Sequence, residues 1–289
     1  MSDTLTRSGV IKYSSIPPHK LLCGGNLLCK KDILVYMENH RVEKLLRNYA
    51  SSKRAKSSAR FFKIGKGEYG EGDIFLGVTV SDIRKVVKKI IKDMSVEDAE
   101  KLLLSPYHEM RLVGTLLFVT LFRDAVKIAN GVKVKLIFKK YVENGKKFNN
   151  WDFVDASASS VFGEYLTQFA SEEEKENILY KLIDSKNLWE NRIAVVGMHA
   201  FIKRKEHTLP FSIIEKSLFH PHDLIHKANG WMLREIGKHA GHDILDTFLY
   251  AHAHHMPRTT LRYALEHYEG LKKEGYMKAK DALKFHNEK

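Results

Sequence analysis

The segment best suited to chemistry lies near the middle of the chain and reads Asn149-Asn150-Trp151-Asp152-Phe153-Val154-Asp155. It follows a loop-like run, so Asn149 or Asn150 is expected to cap a helix, with Asp152 in its first turn. Asp155 lies four residues after Trp151, which places both side chains on one helix face. A carboxylate beside a large aromatic is costly to desolvate unless a cation meets it. We expect that cation to be a substrate.

Basic residues recur at a regular interval on both sides of this segment. With Asp155 included, the series is separated by 44, 37, 35 and 35 residues and consists of Arg111, Asp155, Arg192, Lys227 and Arg262. This period is typical of HEAT-like helix pairs that stack into a curved solenoid, where equivalent positions line one concave surface. Arginine near a helix N-terminus is unfavourable, so the recurrence favours a phosphate ligand over a solvated helix face. The four cations are expected to form a basic stripe that Asp155 interrupts.

The elements that must position these residues are predicted to be helices. Turn signals such as Asn130-Gly131, Leu209-Pro210 and Met256-Pro257 separate apolar-periodic segments, and no segment shows sustained alternation of period two. We therefore predict an all-α, HEAT-like solenoid with a concave basic face over residues 36–289. Residues 1–35 are predicted to form a poorly ordered N-terminal extension.

Charge and composition restrict the classes of partner. The net charge of +13 favours binding to polyanions, of which nucleic acid is the default candidate. Both cysteines, Cys23 and Cys29, lie in the extension, which argues against a disulfide framework or an iron–sulfur site. No apolar run is long enough for a membrane span. We expect a monomeric intracellular protein, in the cytoplasm or nucleoid, or in the nucleus of a eukaryote.

A glycine-rich stretch superficially resembles a dinucleotide-binding loop, because Gly65, Gly67 and Gly70 match GxGxxG. That motif requires a preceding strand and a βαβ unit, whereas a basic helical segment precedes this stretch. We instead predict a loop between helices that passes close to a phosphate backbone, with Lys63 and Lys66 as its contacts.

Histidines are numerous but do not predict a metal site. His222 and His226 are four residues apart, and His252, His254 and His255 are clustered. No acidic or thiol ligand set accompanies either group. We expect no metal and no other cofactor.

Several segments together resemble the DNA alkylation repair family of HEAT-like-repeat DNA glycosylases. The resemblance covers residues 36–270 and is carried, in order, by Arg60-Phe61-Phe62-Lys63 through Gly77, Trp151-Asp152-Phe153-Val154-Asp155, Trp189-Glu190-Asn191-Arg192 and Gly230-Trp231-Met232-Leu233-Arg234-Glu235. It implies a solenoid that cradles duplex DNA and hydrolyses the N-glycosidic bond of N3- and N7-alkylated purines.

Roles follow from matching this chain to the family motifs. Asp155 matches the catalytic aspartate, Trp151 its aromatic neighbour, and Arg192 an arginine that organises DNA and water. Trp231 matches a second tryptophan, and Phe61 an early aromatic that is often tyrosine in the family. Since Phe61 has no hydroxyl, it could stack but not donate a hydrogen bond. Independently of these matches, the residues of the basic stripe and of the glycine-rich loop are expected to bind DNA, namely Arg111, Lys227, Arg262, Lys63 and Lys66.

The chemistry needs little beyond a well-placed carboxylate. An alkylated purine is already cationic and leaves readily, so Asp155 would stabilise the developing oxocarbenium ion and orient or deprotonate the attacking water. Trp151 and Trp231 would offer π-faces to the cation. No lysine nucleophile is indicated, so lyase activity is not expected.

Other interpretations remain open from the sequence. Asp155 could instead form a structural ion pair with Arg111 or Arg192 between repeats. Trp189 is expected to pack in the core, whereas Trp231 could lie either inside or in the groove. The chain could also be a non-catalytic protein that recognises damaged or distorted DNA, or a HEAT scaffold that binds proteins.

Overall fold

The computed structural model describes residues 22–23, 26–27 and 30–282, and side chains from 39 to 279. Two short strands pair antiparallel, β1 (Leu22–Cys23) and β2 (Asn26–Leu27). The rest of the described chain is helical, with α1 (Lys30–Arg47), α2 (Ser52–Phe61), α3 (Val80–Ile90), α4 (Val96–Leu102), α5 (His108–Lys127), α6 (Gly131–Glu143), α7 (Trp151–Ser157), α8 (Glu164–Gln168), α9 (Glu172–Ile183), α10 (Leu188–Gly197), α11 (His199–Lys203), α12 (Thr208–Ser217), α13 (Asp223–Ala240), α14 (His242–His252), α15 (Arg258–Ala264) and α16 (Gly270–Ala282). Short 3₁₀ segments occupy Ile91–Asp93 and Gly145–Lys147.

The all-α helical-repeat class is confirmed. Helices α5, α7, α10, α13 and α15 form a continuous row in which each packs against the next, and α4, α9 and α12 each pack on the helix that follows them. The row carries the regularly spaced series. Asp155, Arg192, Lys227 and Arg262 are each the fifth residue of their helix, and Arg111 is the fourth. The sequence period therefore corresponds to the helix-to-helix step of the array.

The predicted extension, residues 1–35, lies mostly outside the described residues. Its described part contains the β1–β2 pair and the start of α1, so the first helix begins at Lys30, inside the predicted extension.

Asn150 caps the helix that carries Asp155. Its side chain accepts a hydrogen bond from the backbone N–H of Trp151, and Asp152 occupies the first turn, as the sequence predicts. The helix continues beyond Ser157 as a π-helical segment, Ser159–Gly163, and then as α8. At Gly163 a Cβ would lie 2.2 Å from the carbonyl oxygen of Gly197. Glycine is required there because the backbones of neighbouring repeats approach this closely.

The loop between α2 and α3 is held in place by a buried carboxylate. Glu109 accepts backbone hydrogen bonds from Leu76, Gly77 and Val78 at 2.9, 2.7 and 3.2 Å. Gly77 has a φ of +77°, and a Cβ there would lie 2.1 Å from the carbonyl oxygen of Ser51. The loop is thus fixed against α5, and it connects two helices with no βαβ unit around it in residues 30–282.

A continuous apolar core runs between the helix layers, with large side chains such as Phe118, Phe122, Phe153, Phe162 and Phe201 fully buried. Among the described helices none combines the length and the apolar run that a membrane crossing requires.

Candidate active site

An open groove of about 570 Å³ runs over the N-terminal ends of the central helices. Helices α7, α10 and α13 contribute most of its wall, and the end of α2 and the glycine-rich loop close one side. Its lining residues are Phe61, Lys63, Tyr69, Trp151, Asp155, Arg192, Leu224, Lys227, Trp231, Arg234 and Tyr263. Seven residues proposed from sequence therefore meet in one place, although they are spread from position 61 to position 231.

Asp155 lies in this groove and is held by Arg192. The guanidinium Nε and Nη2 donate to the two carboxylate oxygens at 3.0 and 2.9 Å, and Nη1 donates to the carbonyl oxygen of Leu224. Arg192 thereby ties α7 and α10 to the start of α13. The Arg192 side chain is only 5% exposed, whereas that of Asp155 retains 22% exposure. Burial raises the pKa of Asp155, and Arg192 opposes this shift only in part.

The pairing settles which cation meets Asp155 within the chain. It is Arg192, one of the two structural partners that the sequence left open. The pair also explains why arginine is tolerated near the N-terminus of α10, where the helix dipole disfavours a positive charge. Asn187 fixes the start of α10, because its side-chain oxygen accepts hydrogen bonds from the backbone N–H groups of Trp189 and Glu190. The amide of Asn191 donates to carbonyl oxygens at and just after the end of α9, which ties the two helices together.

Aromatic rings support Trp151 on one side of the carboxylate. The indole stacks on Phe62 with centroids 5.3 Å apart, and the edge of Phe61 approaches at 5.7 Å. Burial raises the pKa of Tyr69, and a hydrogen bond with Trp151 partly opposes that rise. Phe61 itself is 64% exposed. A ring so exposed in a groove is available for stacking against a ligand.

A buried polar chain fixes the start of α7 beneath Trp151. His108 Nε2 lies 2.8 Å from Asp152 Oδ2, and its Nδ1 lies 2.9 Å from Asp73 Oδ2. Asp73 is also 2.6 Å from Nη2 of Arg111 and accepts a hydrogen bond from Asn149. Burial alone would lower the pKa of His108, but its hydrogen bonds to Asp152 and Asp73 outweigh that and raise it. Both ring nitrogens face a carboxylate oxygen, an arrangement that favours the protonated imidazole.

Trp231 is half-buried on the opposite side of the groove. Its indole Nε1 donates to Glu235 Oε1 at 3.2 Å, and the ring of His199 lies 5.8 Å away. Arg234 donates to the same oxygen, also at 3.2 Å, and pairs with Glu266. Trp231 thus faces the groove with its ring orientation fixed from behind, which resolves the ambiguity left by the sequence. Trp189 is buried, as expected.

The expected basic stripe is only partly present at the surface. Lys227 lines the groove and pairs with Asp223 at 2.8 Å, and Lys63 lies at its edge. Arg111 does not line the groove, because its guanidinium is buried and paired with Asp73. The expectation of four accessible cations is wrong for Arg111 and Arg192. At Arg111 and Arg192 the positive charge near the helix start meets an aspartate of the same chain, Asp73 and Asp155 respectively.

Arg262 and Lys66 are exposed but lie outside the groove lining. Three polar lining residues were not singled out from sequence, namely Tyr69, Arg234 and Tyr263. Arg234 lies in a segment that carries the family resemblance, and Tyr263 is next to Arg262 of the repeat series. The sequence therefore pointed to the segments that contain these two residues, although not to the residues themselves. Tyr69 carried none, because only the folded loop brings it to Trp151.

The groove can be compared with known proteins. The family model for DNA alkylation repair enzymes matches residues 42–268. The chain belongs to this family. A solved structure described as a predicted DNA alkylation repair enzyme from Enterococcus faecalis is similar in fold, with a TM-score of 0.58 and 18% identity over 76% of this chain and 96% of that one. No curated protein sequence matches the chain. Membership of the DNA alkylation repair family agrees with the resemblance predicted from sequence, and the matched range contains all the groove residues.

Proposed function

We propose that the protein is a monofunctional DNA glycosylase that hydrolyses the N-glycosidic bond of cationic N3- and N7-alkylated purines in duplex DNA. The observation that carries the proposal is a partly exposed carboxylate, Asp155, in a groove that also contains Trp151 and Trp231. A carboxylate beside aromatic rings favours a cationic ligand. Membership of a DNA alkylation repair family supports the idea that this cationic group is a base of DNA.

Recognition rests on charge rather than on a general acid. An aromatic face stabilises a cation by about 0.5–2 kcal/mol, and a neutral purine gains little from the same contact. The alkylated base leaves without prior protonation, so the positive charge moves from the base to the sugar as the glycosidic bond breaks. Asp155 would stabilise that developing charge and orient the attacking water.

Arg192 acts in this proposal as a positioning residue. Its Nε, Nη1 and Nη2 all donate within the protein, and the side chain is buried, so a direct phosphate contact would require it to leave Asp155. A two-point pair fixes both oxygens of the carboxylate. Phosphate binding falls instead to the partly exposed Lys227 and the exposed Lys63 at the groove, with the exposed Arg262 and Lys66 outside it.

A non-catalytic protein that recognises alkylated DNA is the second candidate. The Asp155–Arg192 pair is the specific observation in its favour, because a neutralised carboxylate offers less stabilisation to an external cation. The two candidates differ in whether the glycosidic bond breaks.

Base release from chemically defined duplexes tests the proposal. One duplex carries a single N7-methylguanine, and its control carries the neutral lesion O6-methylguanine at the same position. The proposal predicts free 7-methylguanine and an abasic site from the first duplex only, with no strand cleavage before alkaline treatment. Binding without base release from N7- and N3-alkylated duplexes would leave the DNA-binding candidate.

A further inference from the structure

A second cluster of chemically competent residues lies behind Trp231. His199 begins α11, and Glu235 and His239 are four residues apart on α13. One ligand atom from each of the three lies within 4.8 Å of the others. Nε2 of His199 is 3.8 Å from Glu235 Oε2, and Nε2 of His239 is 3.6 Å from the same oxygen. Two imidazoles and one carboxylate are a ligand set that Zn²⁺ and similar divalent metals favour.

The carboxylate of this cluster is oriented by the residues around it. Glu235 Oε1 accepts hydrogen bonds from Trp231 Nε1 and Arg234 Nη2, both at 3.2 Å. Those contacts turn Oε2 toward the two histidines. Metal ligands in proteins are commonly held by hydrogen bonds of this kind, which fix the ligand before the metal arrives.

Neither histidine has to break a hydrogen bond in order to bind a metal. Among residues 39–279, Nε2 of His199 and Nε2 of His239 make no hydrogen bond, and each faces Glu235 Oε2. Both nitrogens are therefore positioned as ligands beside the carboxylate.

Nearby cations oppose metal binding but can move away. Lys238 Nζ is 3.6 Å from Glu235 Oε2, and its side chain is largely exposed, so it can turn toward solvent. Arg234 pairs with Glu266 as well as with Glu235, and the charge of Glu266 reduces the repulsion between Arg234 and a metal ion. A site with three protein ligands would leave a coordination position for water.

We propose that His199, Glu235 and His239 form a binding site for one divalent transition metal of the Zn²⁺ class. The proposal does not depend on the glycosylase assignment. A metal there would hold Glu235, and through its hydrogen bond would hold Trp231 at the groove. The sequence did not predict this site because α11 contributes one ligand and α13 the other two.

A second group of histidines near the end of α14 could also bind a metal, so the test must distinguish the two sites. His255 contacts both His252 and His254, and His252 also lies 3.0 Å from Glu215. The experiment uses tag-free, metal-free full-length protein titrated with Co²⁺, whose visible absorption reports coordination by protein ligands. Matched variants are His199→Gln, His239→Gln and, as the control, His252→Gln. His239 is partly exposed, so we expect the fold to tolerate its substitution.

The proposal predicts one Co²⁺ per chain, displaced by Zn²⁺, in the wild type and in His252→Gln. Loss of a residue that only supports a metal ligand commonly weakens metal binding by up to about 100-fold. Loss of a direct ligand should cost more, so His199→Gln and His239→Gln should each weaken Co²⁺ binding by more than about 100-fold. Zn²⁺ should also raise the Tm of the wild type but not that of His239→Gln. Absence of a Co²⁺ spectrum, or a spectrum lost only in His252→Gln, would overturn the proposal.

Discussion

Arg192 contacts both oxygens of the Asp155 carboxylate, at 3.0 and 2.9 Å, while that carboxylate remains partly open to the groove. The two residues come from adjacent helices of the row, 37 positions apart. Burial raises the pKa of Asp155, and the guanidinium opposes that rise. Arg192 therefore favours the ionised form of the carboxylate, against the effect of burial.

The pH dependence of base release should reveal the effect of Arg192 on the pKa of Asp155. The proposed glycosylase mechanism requires the ionised form of Asp155, so the single-turnover rate should rise with pH through its pKa. Arg192→Gln removes the opposing charge, raises that pKa further and should move the acid limb of the profile to higher pH. Arg192→Lys keeps the charge and should shift the limb less. Identical acid limbs in all three proteins would contradict the assigned role.

The two tryptophans Trp231 and Trp189 should respond differently to substitution. Trp231→Ala removes an aromatic face from the groove and should slow base release by up to about 30-fold, since a cation–π contact contributes up to about 2 kcal/mol. Trp189→Ala opens a cavity in the core and should lower the free energy of unfolding by about 3–5 kcal/mol. Single-turnover kinetics and urea denaturation separate the two effects. Equal losses of stability would argue that Trp231 also serves the core.

The salt dependence of DNA affinity distinguishes exposed cations from buried ones. Lys227→Ala should reduce the slope of log K against log salt by about one, because one phosphate contact is lost. Arg111→Gln should leave the slope unchanged, since that guanidinium is buried against Asp73. It should instead lower stability, as breaking a buried pair costs about 3–5 kcal/mol. A reduced slope in Arg111→Gln would show that the residue reaches DNA after all.

His108 should make stability depend on pH. Its pKa in the folded state is raised above the ordinary value of 6.5 by Asp152 and Asp73, against the effect of burial. The folded protein therefore binds more protons than the unfolded chain above that value. This contribution to stability is fully present below pH 6.5 and is lost as the pH rises through the folded-state pKa. His108→Gln should remove that part of the decline, as measured by urea denaturation across the range. An unchanged pH profile would contradict a charged His108.

Periodicity was sufficient to predict the array and part of the groove. The spacing of Asp155, Arg192 and Lys227 reflects one structural step, so a residue type repeated at that step falls on adjacent helices of the row. The cap at Asn150 depends only on local sequence and was likewise predictable.

Contacts between distant segments could not be predicted in the same way. The partner of Arg111 is Asp73, which lies in a loop whose path is set by Glu109 and by the backbone conformation of Gly77. Tyr69 reaches Trp151 through the same loop. Sequence reasoning assigned an external phosphate to Arg111 because an internal carboxylate 38 positions away leaves no periodic signal.

The most direct test compares Asp155→Asn with wild type in single-turnover release of 7-methylguanine from a duplex carrying one N7-methylguanine. Asp184→Asn serves as the control, because Asp184 is an exposed aspartate that pairs with Lys216 outside the groove. DNA affinity is measured for all three proteins. The proposal predicts a rate lower by about 100-fold or more in Asp155→Asn, since preorganised electrostatic groups commonly contribute that much, with affinity and the control unchanged. Equal release rates in Asp155→Asn and wild type would contradict the catalytic role of this carboxylate.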